Sequence, residues 1–321
     1  MSPARTASVG FVGGAKMVAM RRVCVVVMAM MSASMMAQTT TLMLWPGGVP
    51  EASKVVGPEV VTKTVTPSGE TVVHITNVSQ PSLTVFAPQA GKNTGAAALV
   101  FPGGSYLRLS YTTEGTDVCG WLNSIGMTCV LVKYRVPEDG HYPANVEDLE
   151  DAQQAMRLTR EHAAEWGIDP EKVGVIGFSA GAHLAVVLST HPDFQGNSVA
   201  ASSVSARPDF QMVIYPGWLN GPAAKGVLGA VDAPVMPNAG VPPTFLVQAE
   251  NDYTAHVENV LVYMEALKNA RVPAELHVYT LGGHGFGLGQ KDLPVSNWSS
   301  LAEVWLKTIH VLGASGPVGM P

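Results

Sequence analysis

Val173-Gly-Val-Ile-Gly-Phe-Ser179-Ala-Gly181-Ala-His-Leu-Ala185 is the stretch from which the rest of the 321-residue chain can be read. Val173 to Ile176 is a short apolar run, the composition of a buried strand. Gly177-Phe-Ser-Ala-Gly181 follows at once, and Ala182 to Thr190 then reads as a helix. Strand, Gly-x-Ser-x-Gly and helix in that order are the layout of a nucleophile elbow. So sharp a turn strains the serine backbone. The glycines two residues before and after Ser179 let the packed strand and helix pass the turn without clashing. The hydroxyl is thereby pushed out at the C-terminal edge of a sheet. The alternative is an ordinary strand-to-helix turn whose serine caps the helix. What surrounds the motif decides between them.

Upstream, Ala96 to Phe101 is a continuous apolar run, hence a buried strand, and it ends on Pro102-Gly-Gly-Ser-Tyr106. Thr128 to Val132 is the next buried strand. Gly115 to Ile125 carries Val118, Trp121 and Leu122 at helical spacing. Ala144 to Trp166 carries Val146, Leu149, Ala152, Met156 and Ala163 at steps of three and four, the pattern of an amphipathic helix. Before these, Thr71 to Val78 and Ser82 to Ala87 read as strands. Residues 38–70 are turn-rich and are expected to lie across the outside.

Downstream, Asp209 to Tyr215, Thr244 to Gln248 and Ala274 to Tyr279 are strand-like, and Val257 to Ala270 and Trp298 to Leu312 are helical. Residues 216–242 are rich in Gly, Pro and Ala without periodicity. They are too long for a plain connector and are expected to form a lid or pocket wall. The tail from Gly313 is expected to fray. Strands alternating with helices predict an α/β fold, a mostly parallel central sheet with helices on both faces, as one domain over residues 38–321.

Composition agrees with a folded enzyme: 47% of residues are hydrophobic and 14% charged, too few charges for a disordered or coiled-coil chain. The net charge is −6 and no basic stripe occurs, which argues against a nucleic-acid partner. Residues 1–37 have the layout of a signal peptide. Arg21 and Arg22 precede the apolar run Val23–Met31, and small residues follow at Ser32, Ala33, Ser34 and Ala37. The run is too short to span a bilayer. Removal near Ala37 would take away Arg5, Lys16, Arg21 and Arg22 and leave a more acidic chain. The expectation is a secreted or periplasmic protein with no membrane attachment in the mature form. Cys119 and Cys129 fall on a helix face and the adjoining strand and are expected as free buried thiols, although export would permit a disulfide. No Cys or His cluster has metal-ligand spacing, so neither a metal nor a cofactor is expected.

A serine nucleophile needs a base, a group to hold that base, and donors for the oxyanion. Among the nine histidines, His284 in Leu281-Gly-Gly-His-Gly-Phe-Gly287 lies just past the last predicted strand, on a glycine-rich loop that can present the ring freely. His183 is nearer in sequence, but it lies on the helix leaving the elbow and cannot easily reach back over the serine. Asp252 follows the strand Thr244–Gln248 and is the expected acid, with Glu250 as alternative. Either could instead be an acid at a helix N-terminus. Ala180, directly after the serine, and Gly103 and Gly104, after the strand Ala96–Phe101, are the expected oxyanion donors. Glu114, Arg135, Asp151 and Arg160 are charged residues in apolar or helical context, expected as paired structural ions behind the site.

Phe101-Pro-Gly-Gly-Ser-Tyr106, Glu114-Gly115, Tyr134-Arg-Val-Pro137, the elbow and Gly282-Gly-His-Gly-Phe-Gly287 together resemble secreted bacterial α/β-hydrolase esterases of the acetylxylan-esterase-like, carbohydrate-deacetylating kind. The resemblance covers roughly residues 42–312. It implies Ser179, Asp252 and His284 as a triad acting on acetyl or other short acyl esters, carried by a small molecule or a polysaccharide. The chain departs from the pattern at three points. Ser105 stands where relatives commonly have a third glycine, Ala182 replaces a frequent glycine, and Gln248-Ala-Glu-Asn-Asp252 carries one aspartate in place of an acid pair. Relatives of this kind are often labelled xylanases, but glycoside hydrolysis needs two carboxylates flanking one bond, whereas this arrangement attacks carbonyls. Two rival readings are a serine peptidase of the prolyl-peptidase type, for which the chain lacks room for a propeller or large cap, and a non-catalytic carbohydrate-binding protein on the same fold.

Overall fold

The computed structural model describes residues 39–50, 57–65, 69–137, 140–196, 202–222 and 225–313. The expected signal peptide lies outside them. An eight-stranded sheet runs in the order β1 (Thr39–Met43), β4 (Ser82–Phe86), β7 (Thr128–Lys133), β5 (Ala97–Phe101), β8 (Val173–Phe178), β9 (Gln211–Ile214), β10 (Thr244–Ala249) and β11 (Ala274–Tyr279). From β7 to β11 every neighbouring pair is parallel, and β4 and β1 are added antiparallel at one edge. The mostly parallel sheet is therefore as expected.

The central strands are apolar along their whole length because both faces are covered. Side-chain parity sorts them. Ala97, Leu99, Phe101, Val173 and Val175 enter one core, and Ala98, Val100, Ile176 and Phe178 enter the other. The first core is closed by α2 (Glu147–Glu161) and α4 (Ala180–Thr190), and the second by α1 (Asp117–Ser124) and α6 (Trp298–Thr308). Helix α4 is buried almost all round, as a helix apolar on every face must be. The predicted helix 144–166 is interrupted at His162, where the backbone leaves the α region (φ −94°, ψ 8°), and α3 (Ala163–Trp166) completes it. Helix α5 (Glu258–Asn269) covers β10 and β11.

Two expectations are corrected. Residues 38–70 are not only loop: β1 is an edge strand of the main sheet, and β2 (Val60–Val65) pairs with β3 (Thr71–Thr76) in a second sheet completed by β6 (Leu109–Ser110). Edge strands bury at most alternate residues, so they lack the apolar run by which a central strand is recognised. Cys119 and Cys129 are joined in a disulfide, not free. Helix α1 returns directly into β7, which brings the two Cα atoms to 5.1 Å, within bridging range.

Chain order reverses beside β8. The chain runs outward from β5 to β7, then returns to β8 on the other side of β5. In an open parallel sheet such a reversal leaves a crevice at the C-terminal strand ends, where ligands bind. Phe101 pairs with Gly177, so the segments that follow β5 and β8 leave the sheet side by side.

Candidate active site

Ser179 leaves β8 with φ 52° and ψ −117°, a left-handed backbone that costs a non-glycine residue about 1–3 kcal/mol. The turn is tight enough to dictate its neighbours. A Cβ on Gly177 would lie 2.1 Å from the Gly181 oxygen, and one on Gly181 would lie 2.0 Å from the Phe101 oxygen. Only glycine fits at either position. Ser179 is 8% exposed, its hydroxyl turned toward the loops beyond the sheet.

Those loops supply the partners. His284 Nε2 is 2.9 Å from Ser179 Oγ, and His284 Nδ1 is 2.7 Å from Asp252 Oδ2. With Nδ1–H donating to the carboxylate, Nε2 is left as the acceptor for the serine hydroxyl. Asp252 is buried, and its other oxygen accepts the Thr254 and Ala255 N–H groups at 2.9 Å each. The carboxylate is thus fixed by three donors. Glu250, the alternative acid, is exposed to solvent. Asn251 performs a task the sequence did not announce: its Oδ1 accepts from the N–H groups of Gly282 and Gly283, at 3.0 and 2.9 Å, and ties the histidine loop to the aspartate loop. Gln290 Nε2 to Gly282 O (2.8 Å) and Trp298 Nε1 to Gly287 O (3.0 Å) hold the same loop from its far side.

The expected oxyanion donors divide. Gly103 N–H is already bonded to the Glu114 carboxylate at 2.7 Å and is not free for a substrate. Gly104 N–H has no acceptor among the described residues. Ala180 N–H, at the first position of α4, has no intrahelical acceptor. Gly103 is packed so closely that a Cβ there would lie 2.8 Å from the Ser179 Cβ. Glu114 is therefore no distant structural ion. It is buried against the elbow, also accepts the Tyr215 hydroxyl at 3.0 Å, and burial pushes its carboxyl above the usual range. Tyr215 in turn accepts the Gly287 N–H at 3.0 Å. A buried chain of hydrogen bonds so connects the loop after β5 with the loop that carries His284. The residue types were visible in sequence as Glu114-Gly115 and the end of a strand, but their pairing spans 101 positions and left no local signal.

The other charged residues expected as ion pairs do pair. Arg135 Nε lies 3.0 Å from Asp151 Oδ2, with Trp45 Nε1 donating to the same carboxylate at 2.7 Å, and Arg160 Nη2 lies 3.0 Å from Asp209. His183 is fully buried, 2.8 Å from the Tyr106 hydroxyl, and burial holds its pKa down to about 3. A cavity of about 290 Å³ opens over Ser179. Gly217, Trp218, Lys225 and Gly226 from the segment 216–242, with Ser105 and His256, contribute to its lining. Among the described residues no group of His, Cys, Asp and Glu is arranged to hold a metal ion.

The family described as BD-FAE matches residues 83–215, the span from β4 to Tyr215 that contains the Gly103–Gly104 loop and the elbow. An acetylxylan esterase of Xylanibacter ruminicola is 30% identical over 236 residues, which are 68% of this chain and 46% of that protein. An endo-1,4-beta-xylanase B of Butyrivibrio fibrisolvens is 28% identical over 218 residues, 63% of this chain and 34% of that one. The chain thus spans half or less of the length of these curated relatives. Over a whole chain, the crystal structure of an acetyl ester-xyloside bifunctional hydrolase from Caldicellulosiruptor lactoaceticus is similar at 31% identity and a TM-score of 0.67, covering 88% of this chain and 100% of that one. On this similarity, and on the sheet and elbow described above, the chain belongs to the α/β-hydrolases, in their acetylxylan-esterase-like family.

Proposed function

We propose that the protein is a secreted serine esterase that removes short acyl groups, acetyl above all, from plant polysaccharide such as acetylated xylan. The observation that carries this reading is the continuous line of hydrogen bonds from Ser179 Oγ through His284 to Asp252, at 2.9 and 2.7 Å, beginning on a strained elbow. Ser179 Oγ attacks the acyl carbonyl while its proton passes to His284 Nε2. The oxyanion that forms lies toward the N–H groups of Gly104 and Ala180, neither of which has another acceptor among the described residues. The tetrahedral intermediate collapses, and the alcohol leaves with the proton from His284. Water then gives a proton to His284 and attacks the acyl-serine, which releases the carboxylic acid and restores Ser179. Asp252 keeps the imidazole in the right tautomer throughout and offsets the imidazolium charge.

Secretion is supported by the signal-peptide layout of residues 1–37 and by the Cys119–Cys129 disulfide, a bond favoured in oxidising compartments. The segment 216–242 is assigned as pocket wall because several of its residues line the cavity over Ser179. Glycosidase chemistry is not assigned. It needs two carboxylates across one bond, and the two beside Ser179 are committed, Asp252 to His284 and Glu114 to Gly103 and Tyr215.

The test is Ser179→Ala against a chromogenic acetate ester, with fluorophosphonate labelling of the wild type. Turnover by the variant at the wild-type rate would sink the mechanism. Acetate release from acetylated xylan tests the polysaccharide part, and N-terminal sequencing of protein recovered from culture medium tests export.

A further inference from the structure

The cavity over Ser179 is walled in part by an indole that the steps of acyl transfer do not use. Trp218 is 37% exposed and lines that cavity, whereas no other tryptophan among the described residues is exposed. Over a third of a large apolar side chain is thus left in water instead of being buried. Its backbone is also strained, at φ 53°, a conformation unusual for a bulky residue. Backbone strain of this kind clusters at active sites and ligand clamps, where the surrounding structure holds it in place.

The surroundings hold this one firmly. The indole packs against the rings of His141, Tyr106 and His183, with centroids at 5.2, 5.6 and 5.8 Å. The two residues after it are pinned from α5, where Asn259 Oδ1 accepts the N–H groups of Leu219 and Asn220 at 2.9 and 3.0 Å. Asn220 in turn ties down Val227 and Gly229 at 2.9 and 3.0 Å. A flat face held this way loses little freedom when a ligand covers it.

Much of the remaining lining is polar. Ser105, Lys225 and His256 bring hydrogen-bonding groups to the same cavity. A pocket for an acyl chain would be apolar on all sides. One flat apolar face with polar groups around it is the complement of a pyranose, whose ring presents C–H bonds on its face and hydroxyls at its rim. We propose that Trp218 is the stacking platform for the sugar that carries the scissile ester, and so determines specificity on the alcohol side. This rests on the ester-hydrolase reading above.

The experiment compares wild type, Trp218→Ala and Trp218→Phe on acetylated xylotriose, ethyl acetate and ethyl butyrate. In Trp218→Ala the ratio of kcat/KM for acetylated xylotriose to that for ethyl acetate falls about tenfold or more, chiefly through KM, and Trp218→Phe recovers most of it. A ratio that stays within about twofold overturns the proposal. So does a comparable shift in the butyrate-to-acetate ratio, which would make Trp218 a wall of the acyl pocket. Binding of deacetylated xylotriose, followed by isothermal titration calorimetry, is measured in parallel. It is expected in the wild type and weakened in Trp218→Ala, and its absence from the wild type also overturns the platform. Failure of the esterase reading shows differently, as a wild type that neither hydrolyses ethyl acetate nor reacts with a fluorophosphonate. The xylotriose titration still decides the platform in that case.

Discussion

The N–H of Gly103 is held by the buried carboxylate of Glu114 at 2.7 Å. This contact fixes the peptide before the one that carries the Gly104 N–H, and Ser110 N–H, donating to Gly103 O at 2.9 Å, holds that next peptide. Glu114→Ala removes the acceptor from Gly103 and from the Tyr215 hydroxyl together. Loss of one oxyanion donor costs about 10²–10³ in kcat, and a donor left in place but unsteered should cost less, about tenfold or more, with KM little altered. Glu114→Gln keeps one acceptor oxygen and should recover part of the rate. Steady-state kinetics on an acetate ester, with melting curves to exclude unfolding, check this.

The acid assignment separates cleanly. Asp252→Asn leaves the shape intact but favours the wrong imidazole tautomer, and kcat is expected to fall about 10⁴-fold, as in the general serine-hydrolase scheme. Glu250→Gln, at an exposed position, should stay within about twofold. Comparable losses in both variants would mean that the two carboxylates share the role.

Acid should unfold the protein partly through His183. Its pKa in the folded chain is depressed to about 3 from 6.5. The unfolded chain therefore binds a proton below 6.5 that the folded chain refuses. Stability present above pH 6.5 is lost as pH falls toward 3, at up to about 1.4 kcal/mol per pH unit. His183→Leu removes this group and one partner of the Tyr106 hydroxyl. The variant should be less stable than wild type at pH 8, and the gap should narrow between about pH 6 and pH 4. Denaturant midpoints at a series of pH values measure it.

The disulfide spans a separation of 10 residues, for which loop-closure entropy gives a stabilisation of about 3 kcal/mol. The double variant Cys119→Ser, Cys129→Ser should melt several degrees lower, as should the wild type under a reductant strong enough to open the bond. A melting point indifferent to both treatments contradicts this.

What could be read in the sequence was what is local. The elbow announced itself because strand, glycines, serine and helix are contiguous, and Asp252 and His284 could be found because each closely follows its own strand. Central strands were legible through apolar runs such as Ala97–Phe101, since burial on both faces leaves no room for polar residues. Thr39–Met43 and Val60–Val65 were missed because edge strands are half or wholly exposed and their pairing is decided by distant partners. Glu114 was seen as a charge, but its partners lie 11 and 101 residues away. The cysteines were placed on the right elements, yet which faces of helix and strand met depended on a packing angle that no pattern encodes.

Asn251 joins two loops that leave neighbouring strands, its side-chain Oδ1 accepting from the main-chain N–H groups of Gly282 and Gly283. Asp252 and His284 consequently ride on one small body, and thermal motion that shifts one shifts the other. Trp218 and Lys225 hang from a different strand end, after β9. Trp218 and Lys225 make none of the hydrogen bonds that hold Asn251, Asp252 and His284 to one another. In the proposed esterase, the bonds that hold acid to base thus lie on other loops than the wall that would meet the substrate.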